Sequence, residues 1–188
     1  KAYLLKRDLS VDVAEQNGWY PSRSAGDNFL RIVIPAVTIK PEHVYWQARA
    51  ISSKAHIRYQ TPKGPRYGAL ISLHVCPDTP CTRQVVIVEG PMDALAVAAC
   101  GYGAIAVMGM TPGDQALDHL AQLVNKRPAL VVFDNEPEAQ SAAHGIVMRL
   151  ASAGGKAHIA KLRYVKDLAD TAFVTRKAWL ARRLEELC

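Results

Sequence analysis

Val85-Val86-Ile87-Val88-Glu89-Gly90-Pro91-Met92-Asp93 is the stretch on which the reading of this chain turns. Its first four residues are β-branched and apolar, and no polar residue interrupts them. A run of this kind fits a strand covered on both faces in a parallel sheet. Glu89 comes where the run stops, and Gly90 lets the backbone turn. Further on, Leu130-Val131-Val132-Phe133-Asp134-Asn135-Glu136 repeats the pattern, an apolar run that ends in carboxylates. Open α/β sheets build their sites at the carboxyl ends of their strands. Two such strands would deliver Glu89 and the Asp134/Glu136 pair to one edge, where they can hold a hard divalent cation for phosphoryl chemistry.

Outward from these runs, the C-terminal half reads as alternating strands and helices. Strands are expected at 84–88, 104–108, 129–133 and 156–162, with helices at about 91–101, 114–125, 138–153 and 175–187. That alternation predicts a parallel sheet flanked by helices. The N-terminal half differs. Ser10 and Gly18 bracket a short helix, residues 19–28 read as a loop, and 29–35, 43–51 and 56–60 read as strands. The expected fold is therefore α/β, with a small, basic, mostly β subdomain (1–82) ahead of the parallel-sheet domain (83–171) and a terminal helix (172–188).

The formal net charge is +6, but its distribution says more. Residues 31–66 hold Arg31, Lys40, Arg49, Lys54, Arg58, Lys63 and Arg66 against the single acid Glu42, which suits a surface for a polyanion. The alternative is a solvated basic face with no ligand. No apolar run approaches the ~18 residues of a membrane span. Lys1, Lys6, Arg7 and Asp8 break any signal-peptide pattern, so a cytoplasmic setting with reduced cysteines is expected. The chain opens on Lys1 rather than Met, as an excised fragment would. Cys76 and Cys81 have no second pair at ligand spacing, so no zinc site is expected.

Each acid has a bland reading beside the chemical one. Glu89 suits a metal ligand, a proton carrier or a helix cap. Asp93 lies early in a helix, where its charge favours the dipole. Asp134 and Glu136 alternate along an extended segment, so both can reach one cation. Asp167 and Asp170, with Lys166 beside them, form a third acidic group after a predicted strand. Crowded carboxylates repel, and a divalent ion removes that cost.

Glu89-Gly90-x-Met92-Asp93, then Gly109 after the next strand, then Phe133-Asp134-x-Glu136 followed by Ala142-Ala143, resembles the Toprim domain of DnaG-type primases, topoisomerases and some nucleases. Lys166-Asp167 is similar to the Lys-Asp of the later loop in primases. Arg31-Ile-Val-Ile-Pro35, Tyr45-Trp-Gln-Ala-Arg49-Ala-Ile51 and Arg58-Tyr-Gln-Thr-Pro-Lys-Gly64 are similar to the basic subdomain preceding Toprim, especially in bacteriophage primase–helicases. The resemblance implies a catalytic set of Glu89, Asp134, Glu136 and Lys166. It implies one to three Mg²⁺ or Mn²⁺ ions on Glu89, Asp93, Asp134, Glu136 and Asp167. It assigns Arg31, Arg49, Arg58, Tyr59 and Lys63 to template or nucleotide phosphates, with Tyr45 or Tyr59 either stacking on a base or packing.

The implied activity is primer synthesis from ribonucleoside triphosphates on single-stranded DNA. A helicase and a zinc-binding module would lie outside this chain, since no Gly-x4-Gly-Lys-Ser/Thr loop occurs. The alternatives are a Toprim nuclease or topoisomerase-like fragment, or a nucleic-acid-binding module without catalysis. The chain departs from the pattern in three places. Glu136 stands where a second Asp is usual, Glu138-Ala139 replaces a small pair, and Asp167 and Asp170 are three apart.

Overall fold

The structure, a computed structural model, describes residues 1–23, 28–74, 84–109, 112–162 and 167–187. The segment around Cys76 and Cys81, as well as Lys166 and Cys188, falls outside the described residues. Two sheets make up the chain. The first is antiparallel, in the order β1 (Tyr20–Arg23), β2 (Leu30–Ala36), β3 (Tyr45–Ala50), β4 (Tyr59–Gln60). The second has the order β5-β7-β6-β8-β9. In it β6 (Val85–Val88), β7 (Gly103–Ala106), β8 (Ala129–Val132) and β9 (Ala157–Ile159) run parallel, and β5 (Ile71–Leu73) pairs antiparallel with β7 at the edge.

The parallel strands are joined by α3 (Pro91–Ala99), α4 (Asp114–Val124) and α5 (Pro137–Ser152). From β6 the chain steps to β7 on one side, then crosses back over β6 to β8 and β9 on the other. A reversal of growth direction with crossovers of one hand puts the helices on opposite faces. The core divides accordingly. Val86, Val88, Ala104, Ala106, Leu130 and Val132 pack with α3. Val85, Ile87, Ile105, Val107, Ala129 and Val131 pack with α4 and α5. This period-2 split is why the strand sequences are apolar throughout.

Pro91 at the first turn of α3 carries a pre-set φ where its missing N–H costs nothing. Seven of the nine α3 residues are buried, so the helix needs cover on every side. The cover comes from both ends of the chain. Leu4 of α1 (Ala2–Leu5), Ala14 of α2 (Val11–Gln16), and Leu180 and Leu184 of α6 (Phe173–Glu185) all join its core, as do Ile34 and Tyr45 of the first sheet. The two sheets therefore share one apolar core. The Ser10 hydroxyl accepts from Val13 N–H at 3.2 Å and caps α2 as expected, and Gly18 follows with φ +75°.

Three elements differ from the sequence expectation. Tyr20–Arg23 is a strand, not loop. It lies at the sheet edge, where Pro21 does no harm to the ladder and exposed side chains leave no alternation to read. β5 lies ahead of residue 83 yet belongs to the second sheet, tied to the first by the Val37–Leu70 bridge. The helix α1 is one short turn, below the length that sequence periodicity reveals.

Gly68 marks a close approach between the halves. At φ +63°, a Cβ there would sit 2.7 Å from the Gln115 carbonyl oxygen of α4. The Gly68 carbonyl also bonds the buried His119 ring at 2.8 Å. Gly68→Ala is expected to lower unfolding free energy by about 1–3 kcal/mol, measured from the urea midpoint.

Candidate metal centre and basic face

In register, Val88 of β6 lies beside Val132 of β8. The two residues that leave these strands, Glu89 and Phe133, are therefore neighbours, and Asp134 follows. This is the point where the sheet reverses its growth, between its first strand and the one added on the other side. The backbone here is tied down. Met108 N–H donates to the Glu89 carbonyl at 3.0 Å, with Met108 itself at φ +59°. Gln140 of α5 reaches back to donate to the Asp134 carbonyl at 2.9 Å, and the Asn135 side chain donates to the Leu162 carbonyl beyond β9.

Asp93, in the first turn of α3, is the best-enclosed acid of the group. Its Oδ1 accepts from Ala169 N–H at 3.0 Å, and a Cβ at Gly90 would come within 3.3 Å of its Oδ2. Burial first, then repulsion from Asp167 and Asp134, push its carboxyl up from the ordinary 3.8 to about 7. The Ala169 hydrogen bond and the charge of Arg7 partly oppose that shift. Asp93, Asp134 and Asp167 therefore share one electrostatic neighbourhood, at the end of the sheet where Glu89 also stands. Glu136 sits differently. It heads α5 at the N-cap position, with Pro137 as the first helical residue, and is exposed. Its own backbone is still extended, at φ −68° and ψ 143°.

The loop bearing Asp167 is held from within and without. Asp167 Oδ1 accepts from Asp170 N–H at 2.7 Å. Arg176 of α6, 0 % exposed, donates to the carbonyls of Leu168 (2.9 Å), Thr171 (2.5 Å) and Ala96 (3.2 Å). From the N-terminal segment, Arg7 makes an ion pair with Asp170, and Asp8 Oδ2 accepts from Phe173 N–H at 2.6 Å, capping α6. Arg7, Asp8 and Arg176 escaped the sequence reading. Asp8 and Arg7 find their partners more than a hundred and fifty residues away, and no local spacing signals that.

An all-carboxylate donor set suits a hard divalent ion such as Mg²⁺ or Mn²⁺. The raised Asp93 carboxyl shows that these acids stand close enough to repel, a cost that a cation removes. Gly90 also leaves room for the Asp93 carboxylate. By kind, all of them carboxylates, the residues fit such an ion. Among the described residues, no three Asp, Glu, His or Cys side chains are grouped closely enough, as they stand, to hold one.

The basic residues fall into two sets. Arg58 and Lys63 are exposed. Arg49 is 6 % exposed, its guanidinium 5.1 Å from the Tyr59 ring centre and 5.8 Å from that of Tyr3. It donates through Nε to Tyr3 Oη at 2.7 Å and through Nη1 to Tyr59 Oη. The Tyr59 hydroxyl is raised by burial, opposed by Arg49 and reinforced by the Asp93 charge, which places this cluster within reach of the acids. Arg31, at 1 % exposed, donates to the Ala48 and Ile57 carbonyls at 3.3 and 3.0 Å and so helps to knit the sheet. Its place on β2 points inward, which overrides the usual preference of arginine for the surface. Tyr45, at 5 % exposed, packs in the core. Among the described residues, no helix is long and apolar enough to cross a membrane.

The Asp93 shift has a sign that can be tested. Between pH 4 and about 7 the folded chain holds a proton that the unfolded chain has lost, so stability falls as pH rises through that window. Asp93→Asn keeps the acceptor for Ala169 and removes the charge. With chelator present, it is expected to match the wild type near pH 4 and exceed it by roughly 2–4 kcal/mol at pH 8, measured by urea unfolding across pH.

Comparison with known proteins agrees with this geometry. The family model described as Toprim domain matches residues 84–178. No curated protein matches the chain by sequence. Among solved structures, the Aquifex aeolicus primase (zinc-binding and RNA polymerase domains) superposes with a TM-score of 0.72 at 16% identity, over 98% of this chain and 55% of that one. This chain thus spans about half the length of that relative. The primase fragment of the bacteriophage T7 primase–helicase gives 0.72 at 16% identity, covering 96% and 72%. The RNA polymerase domain of Mycobacterium tuberculosis primase DnaG gives 0.65 at 18% identity, covering 96% and 74%. The fold, antiparallel sheet included, is that of the RNA polymerase domains of DnaG-type primases, and the chain belongs to the Toprim family.

Proposed function

We propose that this chain is the polymerising core of a DnaG-type primase, joining ribonucleoside triphosphates on single-stranded DNA. The observation that carries the reading is the meeting of two unlike surfaces. Glu89 and Asp134 follow neighbouring parallel strands at one sheet edge, and the Arg49–Tyr59 cluster of the basic sheet is linked through Tyr3 and Arg7 to Asp170 of the acid-bearing loop. A nucleotidyl transfer needs both parts, one to manage phosphate charge at the reacting centre and one to track a polyanionic strand.

When bound, Mg²⁺ or Mn²⁺ supplies Lewis acidity and neutralises the triphosphate. Glu89, Asp93, Asp134 and Asp167 would hold it, with Glu136 joining from the head of α5. Glu89, at the end of the central strand, is suited to orient the attacking 3′ hydroxyl. Lys166, outside the described residues, is proposed to meet the leaving phosphates. Arg58 and Lys63 take backbone phosphates of the template, and Tyr59 with Arg49 shapes the wall nearest the acids. The Aquifex aeolicus primase has a zinc-binding domain, and the bacteriophage T7 protein is a primase–helicase. By analogy a zinc module and a replicative helicase would work with this core in the cytoplasm of a bacterium or a phage-infected cell.

The test is template-dependent synthesis of labelled oligoribonucleotides with Mg²⁺ or Mn²⁺. Glu89→Gln and Asp134→Ala are expected to lower synthesis by at least about a hundredfold while single-stranded DNA binding stays within about twofold. Strand cleavage without synthesis would replace the proposal with a nuclease, and binding with neither activity would leave a nucleic-acid-binding module. For the other surface, Arg58→Ala with Lys63→Ala is expected to weaken DNA binding and flatten the log–log salt slope by about one unit per lost phosphate contact. Fluorescence anisotropy at several salt concentrations measures both.

A further inference from the structure

A line of polar contacts crosses from the basic sheet to the acid loop. Tyr59 Oη accepts from Arg49, and Arg49 Nε donates to Tyr3 Oη at 2.7 Å. Tyr3 Oη also accepts from Arg7 Nη1 at 3.3 Å, and Arg7 Nη2 pairs with Asp170 Oδ1. Asp170 in turn donates its N–H to Asp167 Oδ1, and the intervening Ala169 N–H binds Asp93. Every link is a charge-assisted or backbone hydrogen bond, and the Arg7 side chain spans from the N-terminal segment to the loop.

We propose that Arg7 is a positioning residue for the metal centre: through Asp170 it fixes the loop that presents Asp167 and Ala169 to Asp93, and through Tyr3 it ties that loop to Arg49 of the basic sheet. The role of the loop in holding a cation rests on the function proposed above. The alternative is an ordinary surface ion pair, which contributes roughly 0–1 kcal/mol and changes nothing nearby. The geometry argues against it. The Arg7 side chain is only 20 % exposed, it has a second partner in Tyr3, and the next residue, Asp8, caps α6 just beyond the same loop. The pair is too small to decide global stability, but it is well placed to decide whether a five-residue loop keeps one geometry. Asp167 Oδ1 is engaged inside the loop by Asp170 N–H. A turn of Asp170 would therefore redirect the Asp167 carboxylate and loosen the Ala169 bond together.

The experiment compares the full wild-type chain with Arg7→Ala, Arg7→Lys and Asp170→Asn. Metal-free amide hydrogen exchange at Ala169 and Asp170 is one readout, and Mn²⁺ affinity by electron paramagnetic resonance is the other. Arg7→Ala and Asp170→Asn are expected to speed exchange at both amides by about fivefold or more and to weaken Mn²⁺ binding by roughly tenfold. Exchange in α4 and α5 should be unchanged. Arg7→Lys, which keeps the charge and much of the reach, is expected to recover most of both losses. Wild-type exchange and Mn²⁺ affinity in Arg7→Ala and Asp170→Asn would overturn the proposal, as would a loss that Arg7→Lys shares in full. Should Arg7→Ala fail to fold, Asp170→Asn with the Arg7→Lys rescue decides it alone. Neither readout uses nucleotide or template, so a failure to make primers would count against the proposed function and leave this inference standing.

Discussion

Carboxylates gathered at one end of a sheet push one another apart, and this fold has to keep them close with neutral and distant supports. Asp93 shows the cost most clearly, with a carboxyl raised to about 7 by burial and by Asp167 and Asp134. What holds it is the Ala169 N–H, and what holds Ala169 is a loop pinned by Arg7, Asp8 and Arg176. Arg176 is fully buried and spends its donors on main-chain carbonyls. It therefore organises the loop through the main chain. A carboxylate in that place would have added to the repulsion. The arrangement stores electrostatic strain where a divalent cation would release it.

Much of this was legible from the residues. The runs 85–88 and 129–132 are apolar without alternation because both faces of the sheet are covered, and that feature alone fixes which residues leave the sheet at its carboxyl edge. Asp134 and Glu89 follow from register. Glu136 was harder to place, because it stands at the head of α5, a helix start that strand alternation does not reveal. The burial of Arg31 was not legible, because a positive residue among strands reads as a solvent-facing cation, and its 1 % exposure emerges only in the folded sheet. Tyr3, Arg7 and Asp8 carried no signal, since each depends on a partner brought near by the finished fold. β1 was lost for the opposite reason. Its backbone pairs at an edge while its side chains stay in water, so nothing in Tyr-Pro-Ser-Arg marks a strand.

The two sheets meet through different physics on either side of the site. Away from the acids, Gly68 and Gln115 touch backbone to backbone, and His119 closes the gap with a hydrogen bond. Beside the acids, the junction is made of Tyr3, Arg49, Tyr59 and Arg7, all polar, with Arg49 buried among them. The first kind of contact is steric and unforgiving. The second is made of directional hydrogen bonds between side chains.

The Asp8–Phe173 contact closes a span of 165 residues. At roughly 5–20 residues per second of synthesis, about ten to thirty seconds separate the emergence of Asp8 from that of its partner. During that interval α3 lacks its α6 cover, and the Asp167–Asp170 segment has not yet been made. The antiparallel sheet, built from neighbours in sequence, can already be in place. A nascent chain would thus complete its basic sheet well before it could assemble the acidic rim.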